Sequence, residues 1–464
     1  MNYQAYELAH AILSPMRLSA EALKYSLNSP FNPFSSTPFA RTMSAACELF
    51  ENITRRYGKP AFGINDAHVG GMVVPVTEEI SLRKPFCNLI HFKRDLKDTG
   101  PRNDPKVLIV APMSGHYATL LRGTARSMIE EHEVYITDWA DAREVPLTEG
   151  RFDLDDFMDY LIEFVHHLGP NTHIIAVCQP AVPALAATAI MAARNDPIQP
   201  ASLTLMGGPI DTRRNPTAVN KLAQSKPLSW FESNVLAVVP FPHAGAMRPV
   251  YPGFMQLTGF MTMNLERHVN AHNDLFNNLV KGDCDSVKQH QIFYDEYLAV
   301  MDLTAEFYLQ TIKSVFQDHD LPDGKMMHRG ERVDCSAIRN TAIITIEGER
   351  DDICGIGQTQ AAHDLCVNVP QDEHFYYMQP GVGHYGVFNG TRWRTEIQPR
   401  VRQMIRSVEQ RRSGFGPKII SAPTDGTGSG TAALAAGAGK SQSAREASRD
   451  WTVINGSKAA PAAE

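Results

Sequence analysis

Hydrophobic positions along the chain follow two different periods. Up to about residue 60 the spacing is helical. "SAEALKYSL" and "ARTMSAACELFENITRRYG" repeat apolar side chains at three- and four-residue intervals, and the second ends in glycine. Between them, the proline-rich "NSPFNPFSSTPF" reads as a loop whose phenylalanines serve local packing or a partner. From about residue 86 the pattern becomes short continuous apolar runs: "CNLIHF", "KVLIVAP", "HEVYITDW", "THIIAVC" and "SLTLMGG". Helical stretches separate the later runs, among them "TLLRGTARSMIEE", "LDDFMDYLIEFVHHLG" and "PALAATAIMAARN". Continuous strands alternating with helices predict an α/β fold whose mostly parallel central sheet is buried on both faces.

The alternation stops near 211 and resumes near 341 with "TAIITIEG" and then "HFYYMQPG". The interval holds an apolar, proline-punctuated stretch and a single long helix expected within "HQIFYDEYLAVMDLTAEFYLQTIKSVFQ". The organisation expected is therefore a mainly helical extension over 1–85, a first core part over 86–210, a helical lid insertion over 211–334, a second core part over 335–412, and a tail over 413–464. The tail is Gly-, Ala-, Ser- and Thr-rich and too poor in apolar groups to offset its ordering entropy, so disorder is predicted there.

Composition narrows the function. The chain has 464 residues, 43% hydrophobic and 20% charged, with net charge -7. That balance argues against a nucleic-acid binder. No apolar run reaches the roughly 18 residues that span a bilayer, and the start lacks the pattern of a signal peptide. A cytoplasmic protein is expected. The seven cysteines include no C-x-x-C pair, so neither a disulfide framework nor a zinc site is predicted, and most are expected to be small buried hydrophobes.

One cysteine stands apart. In "IIAVCQPAV" Cys178 occupies a strand–turn–helix junction, the place of the nucleophile in α/β-hydrolases. The flanking glycines usual there are replaced by Ala176 and Pro180. Pro180 suits a first helical turn. In this architecture the chain order is nucleophile, acid, histidine. "TIEGERDDICG" ends a strand in a turn carrying Asp351 and Asp352, and "YYMQPGVGHYGVFNG" ends another in a loop presenting His384. The roles expected are Cys178 as nucleophile, His384 as its base, and Asp351 as the group that fixes the imidazole. An oxyanion would take the Gln179 N–H and one from "APMSGHYATLL", either Met113 or Ser114. In "ERHVNAH", His268 and His272 lie four apart without the glutamate of a zinc motif and read as a solvated face. "MGGPID" completes no nucleotide-binding loop.

The "VCQP" elbow, "EGERDDICG", "GVGHYGVFNG" and "YITDWADAREVP" together resemble the intracellular polyhydroxyalkanoate (polyhydroxybutyrate) depolymerases, over about residues 1–412. The resemblance implies an α/β-hydrolase with a Cys178–Asp351–His384 triad. It implies cleavage of amorphous poly(3-hydroxybutyrate) on storage granules through an acyl-cysteine, with localisation on those granules. No cofactor or metal is then required, and coenzyme A is an alternative acyl acceptor to water. The related polyhydroxyalkanoate synthases carry G-x-C-x-G, from which "AVCQP" departs. A synthase-like acyltransferase and a non-catalytic granule protein are the alternatives. Trp230, Phe231, Phe241, Tyr251, Phe254 and Phe260 in the insertion are candidates for polyester contact, against the alternatives of lid packing or a homodimer interface.

Overall fold

The computed structural model describes residues 3–100, 102–263, 265–413 and 452–453. The strands, in chain order, are β1 (Asp66–Val69), β2 (Met72–Arg83), β3 (Cys87–Arg94), β4 (Lys106–Val110), β5 (Glu133–Trp139), β6 (Thr172–Val177), β7 (Ser202–Met206), β8 (Ala237–Val238), β9 (Pro249–Tyr251), β10 (Leu303–Thr304), β11 (Met327–His328), β12 (Glu331–Arg332), β13 (Ala342–Gly348), β14 (His374–Gln379) and β15 (Thr452–Val453). Among the described residues, ten form one sheet in the order β1-β2-β3-β5-β4-β6-β7-β13-β14-β15. From β5 to β14 every pairing is parallel, while β1, β2 and β3 pair antiparallel at one edge and β15 at the other.

The centre lies where the sequence is most continuously apolar. Every residue of β6, β7 and β13 is buried, as expected of strands covered on both faces. Helix Ala181–Ala193, which follows β6, is apolar around its whole circumference and buried over all but its last residue. Its alanines let it lie close to the sheet. Helix Leu154–Leu168 starts at a reciprocal capping box between Asp153 and Asp156.

The chain runs from β4 outward to β5, then returns past β4 to β6. The strand order therefore reverses between β4 and β6, and a crevice opens beyond their C-terminal ends. The register aligns Val110 with Ala176, Val177 with Met206, Met206 with Ile346 and Gly348 with Gln379. The segments that follow β4, β6, β7, β13 and β14 thus emerge along one edge. This is an α/β-hydrolase fold with a mostly parallel sheet.

Between β7 and β13 the chain leaves the sheet. It forms helices, including Gly253–Met263, Leu265–Lys281 and Cys284–Tyr297, and a small antiparallel sheet of β8, β9 and β10. The single long helix expected over 290–317 is broken. Helix Cys284–Tyr297 ends, β10 intervenes, and helix Ala305–Thr311 continues as the π-helix Ile312–Gln317. Hydrogen bonds explain the break: Asp302 Oδ1 accepts from Gly253 N at 2.8 Å, and Asp302 N donates to Asp141 Oδ1 at 3.1 Å. Bonding across the insertion replaces bonding along a helix.

The N-terminal segment also differs from a mainly helical reading. Helices Tyr3–Leu27 and Pro38–Thr54 pack as a hairpin, clamped by Lys24 to Glu48 and Glu51 at 2.6 and 2.9 Å. Residues 66–83, however, are a β-hairpin turned at Gly70 and Gly71, both with positive φ. In β2 the buried Val74 and Val76 alternate with exposed neighbours. In the connecting loop, Phe31 is 95% and Phe34 68% exposed, so these rings do not serve local packing. Of the tail expected to be disordered, 414–451 and 454–464 lie outside the described residues.

Candidate active site

Cys178 stands at the first residue beyond β6 with φ +66°. A side-chain-bearing residue in this region is uncommon and costs free energy, so it needs local support. The support is a set of short bonds: Cys178 N donates to Met206 O at 2.8 Å, and Ala181 N to Cys178 O at 3.1 Å. Pro180 then opens the helix at φ −61°. The turn projects the thiol from the sheet edge, and Cys178 is partly exposed. Other cysteines contrast with it. Burial pushes the thiols of Cys87, Cys354 and Cys366 well above their ordinary range and Cys335 up to about 12.

His384 and Asp351 meet at this edge. His384 Nδ1 lies 2.7 Å from Asp351 Oδ2, and both side chains are buried. The second carboxylate oxygen accepts from Ile353 N at 2.9 Å and Cys354 N at 2.8 Å, which fixes the carboxylate plane. Burial alone would lower the His384 pKa. The charges of Cys178 and Asp351 facing the ring outweigh burial and hold it well above 6.5. A histidine facing both a cysteine and an aspartate is the arrangement nucleophilic catalysis by cysteine needs.

The glycines of "MGGPID", which complete no nucleotide-binding loop, have a structural task here. A Cβ on Gly207 would lie 3.2 Å from His384 Cε1 and 3.3 Å from Asp351 Oδ2. A Cβ on Gly208 would lie 2.1 Å from that of Ala181. These positions floor the site and let the elbow helix approach. Thr359 secures them, its hydroxyl accepting from Gly208 N at 2.8 Å. Glu347 in turn secures the loop carrying Thr359, its carboxylate accepting from the N–H groups of Gly357, Thr359 and Gln360 at 2.8–3.0 Å.

The loop after β4 faces the elbow. Gln179 Oε1 accepts from Met113 N at 3.3 Å. Met113, Ser114, Cys178, Gln179 and His384 all line one cavity of ≈ 390 Å³. The insertion presses on this loop: a Cβ on Gly115 would meet Gln256 Oε1 at 2.7 Å, and Met301 N donates to Gly115 O at 2.7 Å. His116 is buried beside it, its Nε2 3.0 Å from Tyr297 O, and burial lowers its pKa to about 4. It is neutral near pH 7.

Of the six aromatic candidates, Phe231, Tyr251 and Phe260 line the cavity and Trp230, Phe241 and Phe254 do not. Phe254 stacks on Tyr6 of the N-terminal helix, centroids 4.1 Å apart. Trp230 packs edge-on to Phe231 under Lys226. Phe241 is 88% exposed. Further apolar walls that the sequence did not single out come from Leu222, Phe307, Phe316 and Phe388. His268 corrects the solvated-face reading. It is buried because helix Leu265–Lys281 packs on helix Cys284–Tyr297, and its Nδ1 lies 2.9 Å from Tyr294 Oη. Among the described residues no cluster suited to a metal occurs, and no helix is long and apolar enough to cross a membrane.

Comparison with known proteins gives the following. The chain is similar in structure to a membrane phospholipase A (11% identity, 72% of this chain and 87% of that one, TM-score 0.37). It is also similar to 2-hydroxy-6-oxo-6-phenylhexa-2,4-dienoate hydrolase from Rhodococcus sp. strain RHA1 (10%, 72% and 99%, 0.35). A third is the thioesterase domain from the curacin biosynthetic pathway (11%, 71% and 99%, 0.37). At these values the fold assignment rests on the strand order above. No curated protein matches the chain. The family model described as PHB de-polymerase C-terminus matches residues 207–409, a span that starts at the glycine floor and contains both Asp351 and His384. Over residues 207–409 the chain thus matches the C-terminal region of PHB depolymerases, carried here on the α/β-hydrolase fold described above.

Proposed function

We propose that this protein cleaves the ester bonds of amorphous poly(3-hydroxybutyrate) through an acyl-cysteine on Cys178. The observation that carries the reading is a thiol on a strained elbow, set beside a buried His384–Asp351 pair within a mostly apolar cavity. His384 holds the thiol's proton, and the thiolate attacks the ester carbonyl. The oxyanion forms against the N–H groups of Gln179 and of Met113 or Ser114. As the tetrahedral species collapses, the C–O bond breaks and His384 protonates the leaving alkoxide, a shortened polymer chain. A thioester remains on Cys178. Water, or the thiol of coenzyme A, then attacks that thioester with His384 as base. The products are a 3-hydroxybutyrate unit or oligomer, or its coenzyme A thioester, and free Cys178.

Asp351 acts through His384, fixing its tautomer and stabilising the imidazolium. The cavity volume lies in the range of small-molecule sites. It suits a chain end drawn from a granule, with Phe231, Tyr251 and Phe260 as its apolar walls. Work at a granule surface in the cytoplasm accords with the family match.

The test is incubation of the protein with protein-coated amorphous granules, with and without coenzyme A, and identification of soluble products by mass spectrometry. Free 3-hydroxybutyrate and its oligomers are expected. Acyl-coenzyme A formed only when coenzyme A is present would make thiolysis the second half-reaction. Polymer growth from 3-hydroxybutyryl-coenzyme A, without release, would overturn the reading in favour of a synthase.

A further inference from the structure

Gln179 contributes more to the cavity than a main-chain N–H. Its side-chain oxygen accepts from Met113 N at 3.3 Å, one of the two candidate donors for the second oxyanion bond. Its side-chain nitrogen, Nε2, is buried and has no hydrogen-bond partner among the described residues. Both belong to a residue next in sequence to Cys178, within a lining that is mostly apolar. A buried amide donor without an acceptor is costly, and native proteins rarely keep one without a use.

We infer that the Gln179 carboxamide is a specificity-determining group that recognises an oxygen on C3 of the acyl chain. Its Oε1 holds the Met113 N–H, where an acyl oxygen would sit if Met113 supplies that donor. An ester entering the site takes over that N–H with its carbonyl oxygen and displaces the carboxamide. The released carboxamide turns, and Nε2 donates to the next oxygen along the chain. In a 3-hydroxyalkanoate polyester that oxygen is on C3, two carbons beyond the carbonyl carbon. A plain alkanoyl group offers nothing there and leaves Nε2 buried and unpaired. A site built around a polar partner rejects an analogue lacking it far more strongly than an apolar wall rejects a methylene. This inference rests on the ester-cleaving reading above and adds the feature by which the acyl group is chosen.

The test uses two soluble esters of the same shape, p-nitrophenyl 3-methoxybutyrate and p-nitrophenyl 3-methylpentanoate, which differ by an ether oxygen in place of a methylene. The quantity read is the ratio of their kcat/KM values, which cancels differences in the amount of folded enzyme. The unaltered protein is expected to favour the methoxy ester by about tenfold or more. Gln179→Leu should bring the ratio close to one, and Gln179→Glu, which keeps an acceptor but loses the donor, should do the same. A ratio near one in the unaltered protein would overturn the inference even if neither variant folds. So would a preference that both variants retain. Failure to turn over either ester would instead overturn the ester-cleaving reading, and the inference with it.

Discussion

Gly208 and Ala181 meet across the elbow so closely that a Cβ on Gly208 would lie 2.1 Å from the Cβ of Ala181 and 3.2 Å from the carbonyl oxygen of Cys178. Neither neighbour is the free end of a flexible side chain. Gly208→Ala must therefore push the helix after Cys178 away from β7 and move the thiol. We expect a loss of stability of about 1–3 kcal/mol, the usual cost of overpacking, together with a fall in ester turnover. Thermal unfolding and turnover of a soluble ester check both; an unchanged protein would contradict the close approach.

Asp351→Asn isolates the role of the carboxylate. The loop bonds from Ile353 N and Cys354 N fall on Oδ1, which asparagine keeps. The amide placed against His384 Nδ1 would favour the wrong tautomer. Turnover should drop by on the order of 10²–10⁴, with the fold retained by circular dichroism. A variant of ordinary activity would remove Asp351 from the mechanism.

The raised His384 pKa has a pH signature. The folded-state value lies above the unfolded one, so the stability it contributes is complete below about pH 6.5 and is lost as pH rises through the folded value. Cys178→Ala removes one of the two charges that hold the pKa up. Melting temperatures followed from about pH 6 to about pH 9 should decline in the unaltered protein, and in the variant the decline should start at the same pH but end sooner and be smaller. Superimposable profiles would mean that Cys178 exerts no pull on the ring.

Glu347 is a positioning residue for the floor of the site. Gly357, Thr359 and Gln360 donate their N–H groups to its carboxylate. Glu347→Leu leaves these donors unpaired in a buried place, at a cost on the order of 1–3 kcal/mol each before relaxation. The expected result is a large drop in melting temperature. Its absence would mean that the loop finds other acceptors.

The site's skeleton could be read from sequence because its members sit where continuous apolar runs stop. "THIIAVC", "TAIITIEG" and "HFYYMQPG" announce buried strands, and the candidate residues Cys178, Asp351 and His384 lie in the turns just beyond them. What escaped depends on contacts distant in sequence. Gly207 and Gly208 look like a loop fragment until His384, Asp351 and Ala181 are seen against them. Phe254 reads as a substrate contact until Tyr6 is stacked on it. The helix expected over 290–317 has the right periodicity, but Asp302 bonds to Gly253 and Asp141 instead. Met113 N is drawn to the Gln179 side chain, a pairing across the mouth of the sheet that no local pattern encodes.

The most direct test of the account is product release from amorphous poly(3-hydroxybutyrate) by the unaltered protein and by Cys178→Ala. Soluble 3-hydroxybutyrate and its oligomers are expected from the first and none above background from the second. Equal release by both would contradict an acyl-cysteine on Cys178.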